Sequence, residues 1–131
     1  VALLRDLPWH RLHVFPYSER KGTPATRLPG SVPVAERRRR ASILGTLSLE
    51  RLRARYEAAL DQKRVDSVLI EGRCRGPDGE RDWLGGYSRD YLRVLMRPGA
   101  MKIESNTVVD LKITSLAVDR AAGDVSLLGE I

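Results

Sequence analysis

The chain has 131 residues, 42% of them hydrophobic, which is enough for one small domain with a buried core. Lys and Arg number 23 against 17 Asp and Glu, a formal net charge of +6 that favours an anionic partner. The single cysteine excludes a disulfide framework or a thiolate metal cluster within the chain, and without a membrane-span pattern or signal peptide we expect a cytoplasmic protein.

The charge is unevenly distributed along the chain. Residues 1–64 carry a net +8, whereas residues 65–131 carry −2. A basic half favours a nucleic-acid partner, and a solvated basic surface is the alternative. The chain opens without Met, in the apolar run Val1 to Leu4, so we expect a piece of a longer protein.

Residues 1–32 begin with apolar runs and continue into a stretch rich in Pro, Gly, Ser and Thr. The short β-prone run from Leu12 to Phe15, bounded by Pro16, predicts a buried strand of a parallel sheet that feeds a long loop. The neighbours of that strand would lie outside this chain.

Residues 33–63 have the pattern of a connector helix with Pro33 in its first turn. Gly45 and Ser48 are candidates for a kink or a break. One face is predicted to be apolar, with Ile43, Leu44, Leu47, Leu52, Tyr56 and Leu60. The opposite face is predicted to be a basic stripe that either contacts a nucleic acid or is merely solvated, with Arg37, Arg38, Arg39, Arg40, Arg51, Arg53 and Arg55.

The segment from residue 64 to 131 changes to short strands separated by Gly- and Pro-containing turns. Five strands are predicted: Val65 to Arg73, Asp82 to Tyr87, Tyr91 to Met96, Thr107 to Ser115 and Asp124 to Glu130. This density of strands favours a small closed antiparallel barrel, so the fold class is α+β. Alternation places Val109, Leu111 and Ile113 in its core.

No pattern in the sequence indicates an independent enzyme. There is no Ser-His-Asp order and no phosphate-binding glycine loop. His10 and His13 lie three residues apart, but no third ligand accompanies them, so we predict no metal site.

Arginine and tyrosine residues on the predicted barrel have the composition of an RNA-binding surface. They are Arg73, Arg75, Arg89, Tyr91, Arg93 and Arg97. Strand alternation predicts that Arg89, Tyr91 and Arg93 share one face. Tyr91 is either this exposed ring or a core aromatic, and in the second case Tyr87 or Trp83 is the exposed ring.

Several motifs follow one another in a family-specific order. The first is Leu12-His13-Val14-Phe15-Pro16-Tyr17-Ser18-Glu19-Arg20-Lys21-Gly22-Thr23-Pro24-Ala25. Leu28-Pro29-Gly30, Val32-Pro33 and Glu36-Arg37 come next, and then Val68 to Glu71, Gly86 to Val94, Val108 to Ile113 and Leu127 to Glu130. The series resembles the C-terminal part of MiaB/MtaB-like tRNA methylthiotransferases: residues 1–32 the end of the radical-SAM barrel, 33–63 the connector and 64–131 a TRAM domain.

The resemblance implies a parent enzyme that uses two iron–sulfur clusters and S-adenosylmethionine to methylthiolate N6-threonylcarbamoyladenosine beside the anticodon of tRNA. By resemblance, His13, Tyr17, Ser18, Arg20 and Thr23 line its active site; the alternative is a loop whose hydroxyls cap backbone groups. The CxxxCxxC cluster motif is absent, so this chain is not expected to be catalytic alone. A rival function is a protein-binding module, as in methylthiotransferases that modify a ribosomal protein.

Overall fold

A computed structural model describes residues 1–62 and 65–131. It contains a short helix α1 (Ala2–Asp6), a 3-10 turn (Pro24–Arg27) and a long helix α2 (Val34–Asp61). Five strands follow: β1 (Val65–Cys74), β2 (Trp83–Ser88), β3 (Arg93–Met96), β4 (Thr107–Asp119) and β5 (Asp124–Glu130). No helix in these two ranges is both long and apolar enough to cross a membrane.

The five strands form one mixed sheet that closes on itself in the order β1-β2-β3-β5-β4. β4 pairs with β1 from Val65↔Lys112 to Ile70↔Thr107, which closes the ring. All neighbours are antiparallel except β3 and β5, which run parallel from Val94↔Leu127 to Met96↔Gly129. The prediction of a wholly antiparallel barrel was therefore wrong for this pair. In chain order β4 lies between β3 and β5, but in the sheet β5 lies between β3 and β4, antiparallel to β4 and parallel to β3.

The core lies inside this ring and under one side of α2. Alternate residues of each strand point inward; the fully buried ones include Val68, Ile70, Val94, Met96, Leu111, Val125 and Leu127. From α2, Leu52, Tyr56 and Ala59 join the same cluster. The predicted core face of β4 is confirmed, because Leu111 and Ile113 are buried and Val109 packs against them.

Helix α2 runs without interruption through Gly45 and Ser48. Ser48 is buried, and its hydroxyl binds the backbone of Leu12 instead of breaking the helix. The predicted apolar face packs as expected at Leu52, Tyr56 and Leu60, whereas Ile43 is 42% exposed. The predicted connector end at residue 63 and barrel start at residue 64 lie outside the described residues.

The predicted strand from Leu12 to Phe15 is not formed, which corrects the sequence-based expectation. A strand needs a neighbouring strand for its backbone groups, whereas here the N–H of Leu12 donates to the Ser48 hydroxyl of α2 at 2.9 Å and that hydroxyl lies 3.5 Å from the Leu12 carbonyl. The preceding residues pack on α2 through Arg51, which donates to the carbonyls of Arg5 and Leu7 at 2.6 Å. Its guanidinium also covers the ring of Trp9, 4.4 Å from the ring centroid.

Candidate nucleic-acid interface

Tyr91 lies in the turn that joins β2 to β3 and not within a strand. The N–H of Tyr91 donates to the Ser88 carbonyl and the N–H of Ser88 to the Leu92 carbonyl, both at 3.0 Å. Tyr91 has a φ of 57°, and its side chain is 82% exposed. The alternative that Tyr91 is a core aromatic is thereby excluded. The predicted shared strand face of Arg89, Tyr91 and Arg93 was wrong, because Arg89 is in the same turn and β3 begins only at Arg93.

Beside this turn is a depression of about 520 Å³, the tyrosine groove, which brings together α2, the N-terminal segment and the barrel. Its lining includes His10, Arg11, Leu52, Arg55, Tyr56, Tyr87, Tyr91, Arg93 and Asp124. Sequence reasoning assigned Tyr91, Arg93 and, as an alternative, Tyr87 to an RNA-binding surface of the barrel, and Arg55 to a separate basic stripe on the helix. Because the lining comes from several distant segments, no local pattern predicts that these residues meet in one groove.

Arg93 is fixed from three directions at the centre of this groove. Its guanidinium lies over the ring of Tyr87, 5.2 Å from the centroid, and contacts the Glu71 carboxylate at 3.2 Å. Gly85 leaves the space it needs, since a Cβ there would lie 2.5 Å from Nη2 of Arg93 and 2.8 Å from Sγ of Cys74. One face of Tyr87 is thus already covered, which leaves Tyr91 as the open ring.

Three of the predicted RNA-binding arginines form no ion pair within the described residues. Arg73, Arg75 and Arg89 are exposed, and within the described ranges no hydrogen bond or ion pair engages their side chains. Arg97 differs, because it binds Asp78 and Asp82 and lies 5.0 Å from the ring centroid of Trp83. In that cluster the charge of Arg97 is paired with the two aspartates. The cluster is therefore better explained as stabilising the β1–β2 turn.

Most arginines of the predicted basic stripe on α2 bind acids or backbone carbonyls of this chain. The Arg37 side chain is only 12% exposed; it binds Glu19 at 2.7 Å and the backbone carbonyls of Val32 and Tyr17. Arg39 and Arg40 both bind Glu36 at 2.7 Å. Their hydrogen bonds, led by that of Arg39, hold the pKa of Glu36 at about 2, so these charges remain paired at neutral pH. Arg38 stays exposed.

The other α2 arginines are also committed to local partners. Arg51 holds the N-terminal segment, Arg53 binds Glu57 at 2.7 Å, and Arg55 donates to the Asp90 carbonyl at 2.5 Å. A guanidinium group that already donates to carbonyl or carboxylate oxygens has fewer free donors and binds an external anion less strongly. The barrel arginines are therefore the stronger candidates for a nucleic-acid contact.

The N-terminal candidates are not gathered into one site. His13, Ser18, Arg20 and Thr23 are exposed or half-buried along the loop, and the Thr23 hydroxyl donates to the Arg20 carbonyl at 2.8 Å. Tyr17 is the one of the five that lines a groove of about 700 Å³ between this loop and the first half of α2. That groove is largely apolar, with Phe15, Leu28 and Leu44 in its walls.

The iron–sulfur clusters and S-adenosylmethionine implied by the resemblance do not fit the residues of this chain. Such clusters need several cysteine thiolates, whereas Cys74 is the only cysteine and packs beside Gly85 on the barrel. Across residues 1–62 and 65–131 no group of three or more His, Cys, Asp or Glu side chains is arranged to hold a metal ion.

Comparison with known proteins finds methylthiotransferases. The threonylcarbamoyladenosine tRNA methylthiotransferase MtaB of Rickettsia prowazekii is 48% identical over 69 residues, which is 53% of this chain and 16% of the relative. The ribosomal protein uS12 methylthiotransferase RimO of Roseiflexus sp. is 35% identical over 135 aligned positions, 99% of this chain and 26% of the relative.

A tRNA-2-methylthio-N(6)-dimethylallyladenosine synthase of Symbiobacterium thermophilum is 28% identical over the whole chain. The chain spans at most about a quarter of the length of these relatives. No family model matches it.

Proposed function

The chain belongs to the MiaB/MtaB-like methylthiotransferases, and we propose that it is the tRNA-binding C-terminal portion of such an enzyme. In this proposal residues 1–32 end the radical-SAM barrel, α2 is the connector, and the closed β-barrel is a TRAM domain. The parent enzyme would act in the cytoplasm and methylthiolate N6-threonylcarbamoyladenosine in the anticodon stem-loop, as the name of the Rickettsia relative suggests. His13, Tyr17, Ser18, Arg20 and Thr23 would then face that enzyme's active site.

The observation that carries the proposal is the surface around the β2–β3 turn. An open tyrosine ring lies there beside Arg89, which is in the same turn and has no acid partner among the described residues. Arg73 and Arg75, which also have no acid partner there, lie at the other end of the β1–β2 pair, where Arg73 pairs with Leu84. Rings that stack on bases combined with guanidinium groups that bind phosphates are the usual chemistry of RNA-binding barrels. Of the α2 arginines, Arg38 is the one the structure leaves available.

The test is binding of fluorescently labelled tRNA to the whole chain over a salt series. Each neutralised phosphate contributes about −0.7 to −0.9 to the slope of log affinity against log salt, so four to six contacts give roughly −3 to −5. Replacing Arg75 and Arg89 together by Ala should flatten the slope by about 1.5. Arg53→Ala is the control, because Arg53 is paired with Glu57 on α2 and does not line the tyrosine groove.

The second candidate is a module that binds a protein substrate. Two observations favour it: the RimO relative acts on ribosomal protein uS12, and residues 65–131 carry a net −2. Basic ribosomal proteins would suit such a surface. The same assay separates the two, since the protein-binding module predicts no tRNA binding at low salt and saturable binding of purified uS12.

A further inference from the structure

A second groove adjoins the tyrosine groove. This arginine groove, of about 700 Å³, lies between the β1–β2 turn and the β4–β5 turn and is lined by Arg75, Arg93 and Arg120 among others. Arg93 and Asp124 line both grooves. One extended ligand can therefore occupy both without leaving the surface.

The arginine groove has the chemistry of an anion site. Arg75 and Arg120 are exposed, and their guanidinium groups have no acid partner in the described part of the chain. The two carboxylates in its walls have donors of their own: Asp119 accepts from the N–H groups of Ala121 and Ala122, at 3.0 and 2.9 Å, and Asp124 from Arg11 at 3.3 Å. A phosphate oxygen meets donors here, because guanidinium forks match its geometry.

The tyrosine groove has the chemistry of a base site. Tyr91 extends its ring into solvent, from a backbone conformation that costs a non-glycine residue about 1–2 kcal/mol. Strain of this kind persists where the surrounding structure fixes it, and it is concentrated at ligand sites. Tyr87, with Arg93 over one face, extends the aromatic wall on the β2 side.

We propose that the two grooves together hold a short single-stranded RNA segment that contains an unstacked base. The base lies on the open ring of Tyr91, and a phosphate further along the same strand lies between Arg75 and Arg120, with Arg93 at the junction. This inference rests on the proposed RNA-binding function and adds to it a preference for single strands. A duplex cannot fill the site, since the faces of its bases are already stacked on one another.

The test compares a labelled single-stranded RNA of mixed sequence with the same strand annealed to its complement. Each is titrated with the whole chain at constant salt, and binding is followed by fluorescence anisotropy. We expect the single strand to bind at least about tenfold more tightly, the effect of one stacked base. Tyr91→Leu should weaken binding of the single strand by about five- to hundredfold and leave the duplex nearly unchanged.

A double-mutant cycle tests whether both grooves hold the same RNA strand. Tyr91→Leu and Arg120→Gln should have non-additive effects on single-strand affinity, since the loss of one contact weakens the positioning of the strand at the other. Phe15→Leu and Arg81→Gln are the matched controls. They alter an exposed ring and an exposed arginine that line neither groove, and each should change affinity less than about twofold.

Three outcomes are decisive. Equal affinity for single strand and duplex, with no effect of Tyr91→Leu, overturns the nucleotide site and leaves general RNA binding standing. Additive effects of Tyr91→Leu and Arg120→Gln overturn the joint occupation of the two grooves. Absence of binding to either RNA at low salt overturns the proposed function as well.

Discussion

The phenol oxygen of Tyr56 on α2 accepts a hydrogen bond of 2.7 Å from the backbone N–H of Arg93, the first residue of β3. The side chain of Arg93 lies in the tyrosine groove, so the bond links the long helix to the residue shared by both grooves. Because Tyr56 is only 4% exposed, water cannot readily replace it as the acceptor.

Tyr56→Phe should therefore lower the free energy of unfolding by about 1–3 kcal/mol, since the N–H of Arg93 loses its acceptor. Urea unfolding measures this as a lower midpoint with an unchanged slope. Tyr17→Phe is the control, because Tyr17 is half exposed and no hydrogen bond of its hydroxyl occurs in the described ranges. Equal stability of Tyr56→Phe and the unmodified chain would contradict the role assigned to this bond.

Alkaline pH should destabilise the chain through the same residue. Burial raises the pKa of the Tyr56 phenol above its ordinary value, so the folded state retains the proton more strongly than the unfolded chain. The stabilising effect is complete below a pH of about 10 and decreases as the pH rises above it. Urea unfolding on both sides of that pH should show the decline, and Tyr56→Phe should reduce it. A decline of the same size in the variant would assign it to other groups.

Tyr91→Gly should stabilise the fold and weaken RNA binding. Glycine adopts a φ of 57° without steric cost, so up to about 1 kcal/mol should be gained after the extra entropy of the unfolded chain is subtracted. Thermal unfolding measures the gain. Arg89→Gly changes a residue of the same turn whose φ is negative, and it should lower stability. A Tyr91→Gly variant less stable than the unmodified chain would show that the ring itself stabilises the turn.

Ser48→Ala should release the N-terminal segment from α2. The Ser48 hydroxyl accepts the N–H of Leu12, and it is buried, so amide exchange at Leu12 should become at least about tenfold faster, as expected for the loss of ~1.4 kcal/mol. Ser42→Ala, on the exposed side of the same helix, provides the comparison. Unchanged exchange at Leu12 would mean that Arg51 and Trp9 alone hold the segment.

Local rules predicted much of the barrel. Alternating apolar residues and Gly- or Pro-containing turns located all five strands, with differences at their ends. The alternation reflects β1, β4 and β5, which bury alternate residues, whereas β2 and β3 are short and are buried at consecutive residues. The local rules did not predict the turn at Tyr91, a position where glycine is the usual residue. Nor could they predict that β5 pairs in parallel with β3, since pairing partners depend on the path of the whole chain.

The candidate site was harder to predict than the fold. Arg37 and Arg51 have the same sequence signature as a nucleic-acid-binding arginine, yet both bind carbonyl groups of the N-terminal segment. Arg120, by contrast, lies in an ordinary turn sequence and becomes relevant only because the β4–β5 turn approaches Arg75. The acceptors around a guanidinium are set by tertiary packing, and a single sequence does not reveal them.

Because α2 is one continuous helix, it fixes the rotation about its axis that separates two distant grooves. Leu44 lines the apolar groove of the N-terminal loop and Tyr56 the tyrosine groove, about 18 Å further along the helix axis. One inserted residue between them would turn one surface by about 100° relative to the other, whereas seven would nearly restore the angle and lengthen the helix by about 10 Å. The helix thus sets both the distance and the direction in which a ligand on the barrel faces the N-terminal loop.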